Sequence, residues 1–338
     1  MNYRQLGKTE FKVSALGLGC SRLGSVTQSD GDAAALRLIG SALDAGINFF
    51  DTADIYGQGK SETLLAQALK SHRDKVVVAT KAGYCLSAMG GIAKRLKPLL
   101  RRLLRVRPGF TQAIQKVRSA QTRQDFSPKY LTSHIEGSLR RLRMDALDLF
   151  YLHSPPADVL RCAEVFETLD TLKRQGKLRH YGVSCLAAED AVSCLKHPGV
   201  EVLQLEISLL KPEAIQQALP ATRAGGAGVV VRQALAGGIL LRSYSELRLE
   251  NYSSVQEFEA DKSRLAEFEK LAASSGHRLP QLALQFLLQL DGASSVLLGT
   301  TSARHLEEHL AILNQPALSA ETLARVGSLL SARNRTPK

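Results

Sequence analysis

Ile47-Asn48-Phe49-Phe50-Asp51-Thr52-Ala53-Asp54-Ile55-Tyr56-Gly57 is the stretch whose reading decides the fold. Its first half is short and apolar, bounded by Gly46 and a polar break. That pattern predicts a buried strand of a parallel sheet. Its second half places a carboxylate, Asp51, at the strand end and a phenol, Tyr56, in the loop beyond. A charge at the end of a buried strand is costly unless it is paired or used.

The same pattern repeats outward from this stretch. Tyr3 to Val13 reads as a hairpin turning at Gly7-Lys8, and 14–20 as a first buried strand. Asp32 to Ala45 has apolar residues at helical spacing and ends at Gly46. Strands are then predicted at 47–53, 76–81, 147–153, 179–185, 201–208, 228–235 and 295–299. Helices are predicted at 61–71, 128–142, 159–175, 187–196, 213–224, near 260–274 and 280–290, and at 303–313. A last amphipathic helix is expected near 319–333. Eight strand-then-helix units point to a closed (β/α)8 barrel, right-handed by the crossover rule, forming one domain over 1–338. A doubly wound open sheet is the alternative. Gly17-Leu18-Gly19 lacks the third glycine that a dinucleotide turn of that fold needs.

In a barrel, chemistry belongs at the C-terminal ends of the strands. Asp51, Lys81, His153, Ser184, Gln204 and Gln233 all fall at such ends. A free phenol has a pKa of about 10. The Lys81 ammonium beside Tyr56 is expected to lower that value, with Asp51 keeping the lysine charged and in place. His153 would orient a carbonyl oxygen or share the proton. This constellation suits proton transfer coupled to hydride transfer, which needs a nicotinamide or flavin cofactor. No GxSxG motif for acyl transfer is present.

The chain resembles the aldo-keto reductase superfamily over nearly its whole length. The motifs that carry the resemblance are Asn48 to Gly57, Ala79-Thr80-Lys81, Leu147-Asp148-Leu149-Phe150-Tyr151-Leu152-His153, Tyr181-Gly182-Val183-Ser184 and Leu298-Gly299-Thr300-Thr301. The resemblance implies a catalytic tetrad of Asp51, Tyr56, Lys81 and His153. It also implies NADP(H) or NAD(H), bound in extended form without a Rossmann domain. Gly19, Cys20 and Asp51 would lie against that cofactor, and Ser184 and Gln204 would hold its carboxamide. Cys185 replaces the usual Asn, and its thiol is a weaker hydrogen-bond partner. Arg232 stands where the family often has an aromatic stacked on the nicotinamide. It either stacks in turn or ends its strand pointing to solvent. Gln233 and Leu235 would line the pyrophosphate path. Gly299, Thr300 and Thr301 lead into a helix N-terminus, which suits a phosphate. His305 and Thr301 stand where NADPH users carry Lys or Arg, with Arg304 adjacent, so NAD use is credible. Glu308 matches the adenine-side acid, and His309 replaces an Asn. The stretch from Gly57 to Glu62 looks like the sugar and aldose branch, so a sugar or sugar-like lactol is the expected substrate.

One segment departs from the family pattern. The connection over 84–127 is long, and within 93–107 seven residues are basic and six are Leu or Val. It is read three ways: as a substrate lid, as a helix lying on an anionic membrane, or as a mobile basic insert. The net charge of +12 is concentrated there. No basic face interleaved with aromatics is visible, so nucleic acid is not an expected partner. Five cysteines without CxxC spacing fit a reduced cytoplasm. A small-molecule carbonyl or alcohol is the expected partner. A cofactor-holding barrel that senses redox state and docks a partner is the second reading.

Overall fold

Runs such as Val77–Ala82 are buried along their whole length, so only a sheet covered on both faces can hold them. A computed structural model describes residues 1–24, 31–86, 122–252 and 254–332. Strands β1 (Tyr3–Gln5) and β2 (Lys12–Ser14) form an antiparallel hairpin. The barrel strands are β3 (Leu16–Gly19), β4 (Phe49–Asp51), β5 (Val77–Ala82), β8 (Leu147–His153), β9 (Leu178–Ser184), β10 (Val200–Glu206), β11 (Gly228–Arg232) and β12 (Ser295–Gly299). They close in the order β10-β11-β12-β3-β4-β5-β8-β9, every pair parallel. This is the expected (β/α)8 barrel. Between β5 and β8, β6 (Tyr84–Leu86) and β7 (Thr122–Gln124) form a separate antiparallel ribbon. The basic run 93–107 and its three readings lie outside the described residues.

The helices form where capping and periodicity require them. Ser127 accepts from the Tyr130 amide, Pro128 occupies the first turn, and Leu131, Ile135 and Leu142 of the helix Pro128–Leu142 face the barrel. Two expected helices are broken. The segment 213–224 divides into Glu213–Gln217 and Leu219–Gly225, because Pro220 has no amide hydrogen to continue the ladder. The segment 159–175 divides into Ala157–Leu160 and Ala163–Arg174, with Cys162 extended between them (φ −84°, ψ 105°). The helix expected over 303–313 ends at Leu310 and tightens into a 3-10 turn, Ala311–Asn314. No helix among the described residues is long and apolar enough to cross a membrane.

The hairpin closes the N-terminal end of the barrel. Leu6, Phe11 and Val13 pack into the interior with Phe49, Val77, Leu149, Tyr151, Val202, Val230 and Leu297. An ionic cluster fastens it from outside. The His180 imidazole has Glu201 at 2.8 Å on Nδ1 and Glu10 of the hairpin on Nε2. Arg179 also reaches Glu10, at 2.5 Å, and Lys173 reaches Glu201, at 2.6 Å. Burial works against the imidazolium, but the two carboxylates more than offset it, so the His180 pKa stands above its ordinary value. A group raised on folding stabilises fully below its unfolded pKa, about 6.5, and loses that contribution as pH rises through the folded value. The stability gap between wild type and His180→Gln is therefore expected to be widest below about pH 6.5 and to narrow as pH rises. Urea unfolding at a series of pH values checks this, and a gap independent of pH would exclude the linkage.

Candidate active site

Asp51 ends β4 and Lys81 lies near the end of the adjacent β5, which brings a carboxylate and an ammonium together under the barrel mouth. Lys81 Nζ donates to Asp51 Oδ1 at 2.7 Å, to Asp51 Oδ2, and to the Thr52 carbonyl at 2.8 Å. Its three donors are thereby committed. The ammonium sits between two aromatic rings, 5.3 Å from the centroid of Tyr56 and 6.0 Å from that of Tyr151. Burial alone would lower the Lys81 pKa. Asp51 and Tyr56 reverse that, and it stands above the ordinary value, so the lysine is charged at neutral pH.

A second set of bonds crosses the mouth. Ser184 Oγ donates to Gln204 Oε1 at 2.8 Å, and Gln204 Nε2 donates to Asp51 Oδ1 at 2.8 Å. In the strand order β10 stands opposite β4, so this chain of bonds spans the barrel's diameter.

Tyr56 begins a 3-10 turn, Tyr56–Gln58, held by its own amide to the Ala53 carbonyl at 3.1 Å. The turn needs Gly57. Its φ is +57°, and a Cβ there would lie 2.9 Å from the Gly24 carbonyl oxygen. Burial pushes the Tyr56 phenol up. Lys81 pulls it down, as the sequence suggests, but not enough, and the net direction is upward. The expectation of a lowered Tyr56 pKa is corrected accordingly: the desolvation of the phenolate outweighs the ammonium. Tyr56 is therefore a protonated phenol at neutral pH.

His153 ends β8 with its ring edge-on to Tyr56 at 5.8 Å between centroids. Burial, then Lys81 and Arg232, hold its pKa well below the ordinary value, so it is neutral. Its Nδ1 is buried without a partner among the described residues. A neutral imidazole keeps one donor and one acceptor.

These groups border a cavity of about 600 Å³. Its wall includes Gly19, Asp51, Tyr56, His153, Ser184, Gln204, Arg232, Gln233, Leu235, Gly299 and His309. Lys81 lies behind that wall. Arg232 is one-fifth exposed and lies on the cavity wall, not turned out to solvent. Its Nη1 pairs with Glu206 at 2.9 Å and its Nη2 donates to the Cys185 carbonyl at 3.1 Å. The strand ends at Arg232, not at 235, because Gln233 turns into the left-handed region (φ 59°). Thr300, Thr301, His305 and Glu308 lie off the cavity wall. So do the two cysteines at strand ends: the Cys20 thiol turns back to the Leu18 carbonyl, and the Cys185 thiol faces Cys194 at 3.9 Å. Sequence reasoning missed Arg22 and Arg242, which also line the cavity, and Tyr84, whose ring meets His153. The only signal for Tyr84 was an aromatic three residues after Lys81.

A family model described as "Aldo/keto reductase family" matches residues 15–331. The chain belongs to the aldo/keto reductase family. It is 28% identical to the NADH-specific methylglyoxal reductase of Escherichia coli (strain K12), over 91% of this chain and 92% of that protein. It is 29% identical to L-galactose dehydrogenase of Arabidopsis thaliana, over 97% and 93%. The holo form of aldo-keto reductase AKR11C1 from Bacillus halodurans superposes with a TM-score of 0.76 at 27% identity, covering 97% of this chain and 96% of that one. This aldo-keto reductase is accordingly an oxidoreductase, of a family whose enzymes use nicotinamide cofactors.

The cavity suits such a cofactor. Ser184 and Gln204, each 2% exposed, offer a polar pair for a carboxamide, and Arg22 and Arg242 offer cations for a pyrophosphate. Arg232 Nε and His309 Nδ1 are buried polar atoms on the wall without partners among the described residues.

Proposed function

We propose that this aldo-keto reductase interconverts an aldehyde or ketone and its alcohol, with Tyr56 as the general acid and base. The observation that carries this is the neutral Tyr56–His153 pair on the cavity wall, standing over the charged Lys81–Asp51 pair. A bound nicotinamide supplies the hydride in reduction and takes it in oxidation. The neutral His153 donates a hydrogen bond to the carbonyl oxygen without giving up its proton. As negative charge grows on that oxygen, the Tyr56 phenol releases its proton to it. The Lys81 ammonium, already in place and needing no reorganisation, stabilises the phenolate that remains. Asp51 keeps Lys81 charged and fixed through two oxygens, and the Gln204 amide fixes Asp51 in turn. In the oxidative direction the phenolate takes the alcohol proton.

The substrate we propose is a small, oxygen-rich carbonyl compound of the sugar class. The cavity's polar wall supports it, as do relatives named for L-galactose and methylglyoxal. The residues that first suggested sugars act elsewhere: Ser61 donates to the Cys20 carbonyl, and Glu62 accepts from Thr80 and Arg141 beneath the site. Either NAD(H) or NADP(H) fits the proposal. Arg304, the cation in the first turn of the helix Ala303–Leu310, lies 3.9 Å from Glu308, which supports use of NAD(H). Aldoses, lactols, methylglyoxal and aromatic aldehydes, each assayed with both cofactors in both directions, test the reading. Turnover of the oxygenated compounds is expected. A protein that binds either dinucleotide yet reduces and oxidises none of them would overturn it.

A further inference from the structure

The ribbon between β5 and β8 touches the end of β8 from two sides. From β6, the Tyr84 ring meets the His153 imidazole edge-on, 4.8 Å between centroids and at 87°. From β7, Gln124 Nε2 donates to the Ser154 carbonyl at 2.8 Å and to the His153 carbonyl at 3.3 Å. Ser154 follows β8 in the left-handed region, with φ 52°, a conformation that a residue with a side chain adopts only when held. Its amide is fixed to the Ser184 carbonyl at 3.0 Å, and its own carbonyl is fixed by Gln124.

The ribbon is itself anchored. The Asp125 amide donates to the Gly83 carbonyl at 2.9 Å, and Phe126 is buried against Gly83 so closely that a Cβ on the glycine would lie 2.4 Å from the ring. The Tyr130 hydroxyl donates to the Tyr84 carbonyl at 3.1 Å. Tyr130 stacks on His134 at 3.8 Å, and His134 Nδ1 lies 2.5 Å from Asp54 Oδ2, two residues before Tyr56. A closed circuit of contacts thus runs from His153 through Tyr84, Tyr130, His134 and Asp54 back to the Tyr56 turn.

We infer that the β6–β7 ribbon is a positioning element for His153, acting through the Tyr84 ring and the Gln124 amide. It rests on the proposed role of His153 at the substrate carbonyl. Neither residue lines the cavity, so neither is a catalytic residue. The Tyr84 ring excludes water from one flank of the imidazole and limits its rotation. The Gln124 amide fixes the backbone from which the imidazole projects. A small displacement of a group that must meet a developing oxyanion costs rate steeply.

The test uses the full chain and two readouts. Tyr84→Ala and Gln124→Ala are each expected to lower kcat about tenfold with the dinucleotide dissociation constant unchanged. Tyr84→Phe, which keeps the ring, is expected to retain wild-type rates. In a His153→Gln background the alanine substitutions are expected to cost nothing more, since they act through that side chain. The second readout needs no turnover. The His153 ring resonance, assigned by its loss in His153→Gln, is expected to titrate higher in Tyr84→Ala than in wild type, because water reaches the ring. Losses that multiply with that of His153→Gln, or an unshifted His153 titration in a folded Tyr84→Ala, would overturn the inference. A shifted titration in a protein that turns over no carbonyl would uphold the positioning and overturn the proposed function instead.

Discussion

Tyr56→Phe is expected to lower kcat by at least about a hundredfold, and by up to about 10⁴, in both directions, the range for a positioned acid or base. The substitution keeps the ring, its edge contact with His153 and its place beside Lys81, and removes only the hydroxyl that carries the proton. Dinucleotide affinity should therefore stay within about twofold of wild type, the pattern of a contribution made only in the transition state. Steady-state kinetics with a fluorescence titration of the reduced dinucleotide measure both quantities. Full activity in the variant would remove Tyr56 from proton transfer and pass that role to His153 or water. The pH profile gives a second check. Because burial outweighs Lys81 and holds the phenol above its ordinary value, the reductive rate should not fall through neutral pH from loss of the Tyr56 proton.

Lys81→Met is expected to cost about 3–5 kcal/mol of stability, because it leaves Asp51 buried and without its charge partner. The mirror change, Asp51→Asn, leaves a buried ammonium and should also destabilise. Together in one chain the two substitutions remove both charges, so much of the lost stability should return while activity stays absent. Urea unfolding of the two single variants and the double variant measures the coupling. Additive losses would mean that the pair is held apart by its surroundings and contributes little to folding.

Much of this was legible in the residues. The alternation of short apolar runs with amphipathic segments predicts eight units, and the strands Leu147–His153 and Ser295–Gly299 begin and end where the pattern places them. Strand ends carry the groups that meet at the mouth, because a parallel barrel points every C-terminus one way. Three features were beyond a linear reading. The net pKa of Tyr56 depends on how completely the phenol is desolvated, and sequence spacing conveys only that a cation is near. The partners of Arg232 come from the residue after β9 and the end of β10, whose approach depends on register. The circuit through Tyr84 ties Tyr130 to Tyr84 and His134 to Asp54, 46 and 80 positions apart, by geometry that no periodicity encodes.

The apolar plug at the far end of the barrel has a kinetic consequence. With Leu6, Phe11 and Val13 filling the base, the described residues leave the mouth as the way to Tyr56. A dinucleotide seated along the cavity wall beneath the substrate would have to arrive first and depart last. Crowding by the late arrival then traps the spent early one, so excess substrate should slow the cycle instead of saturating it.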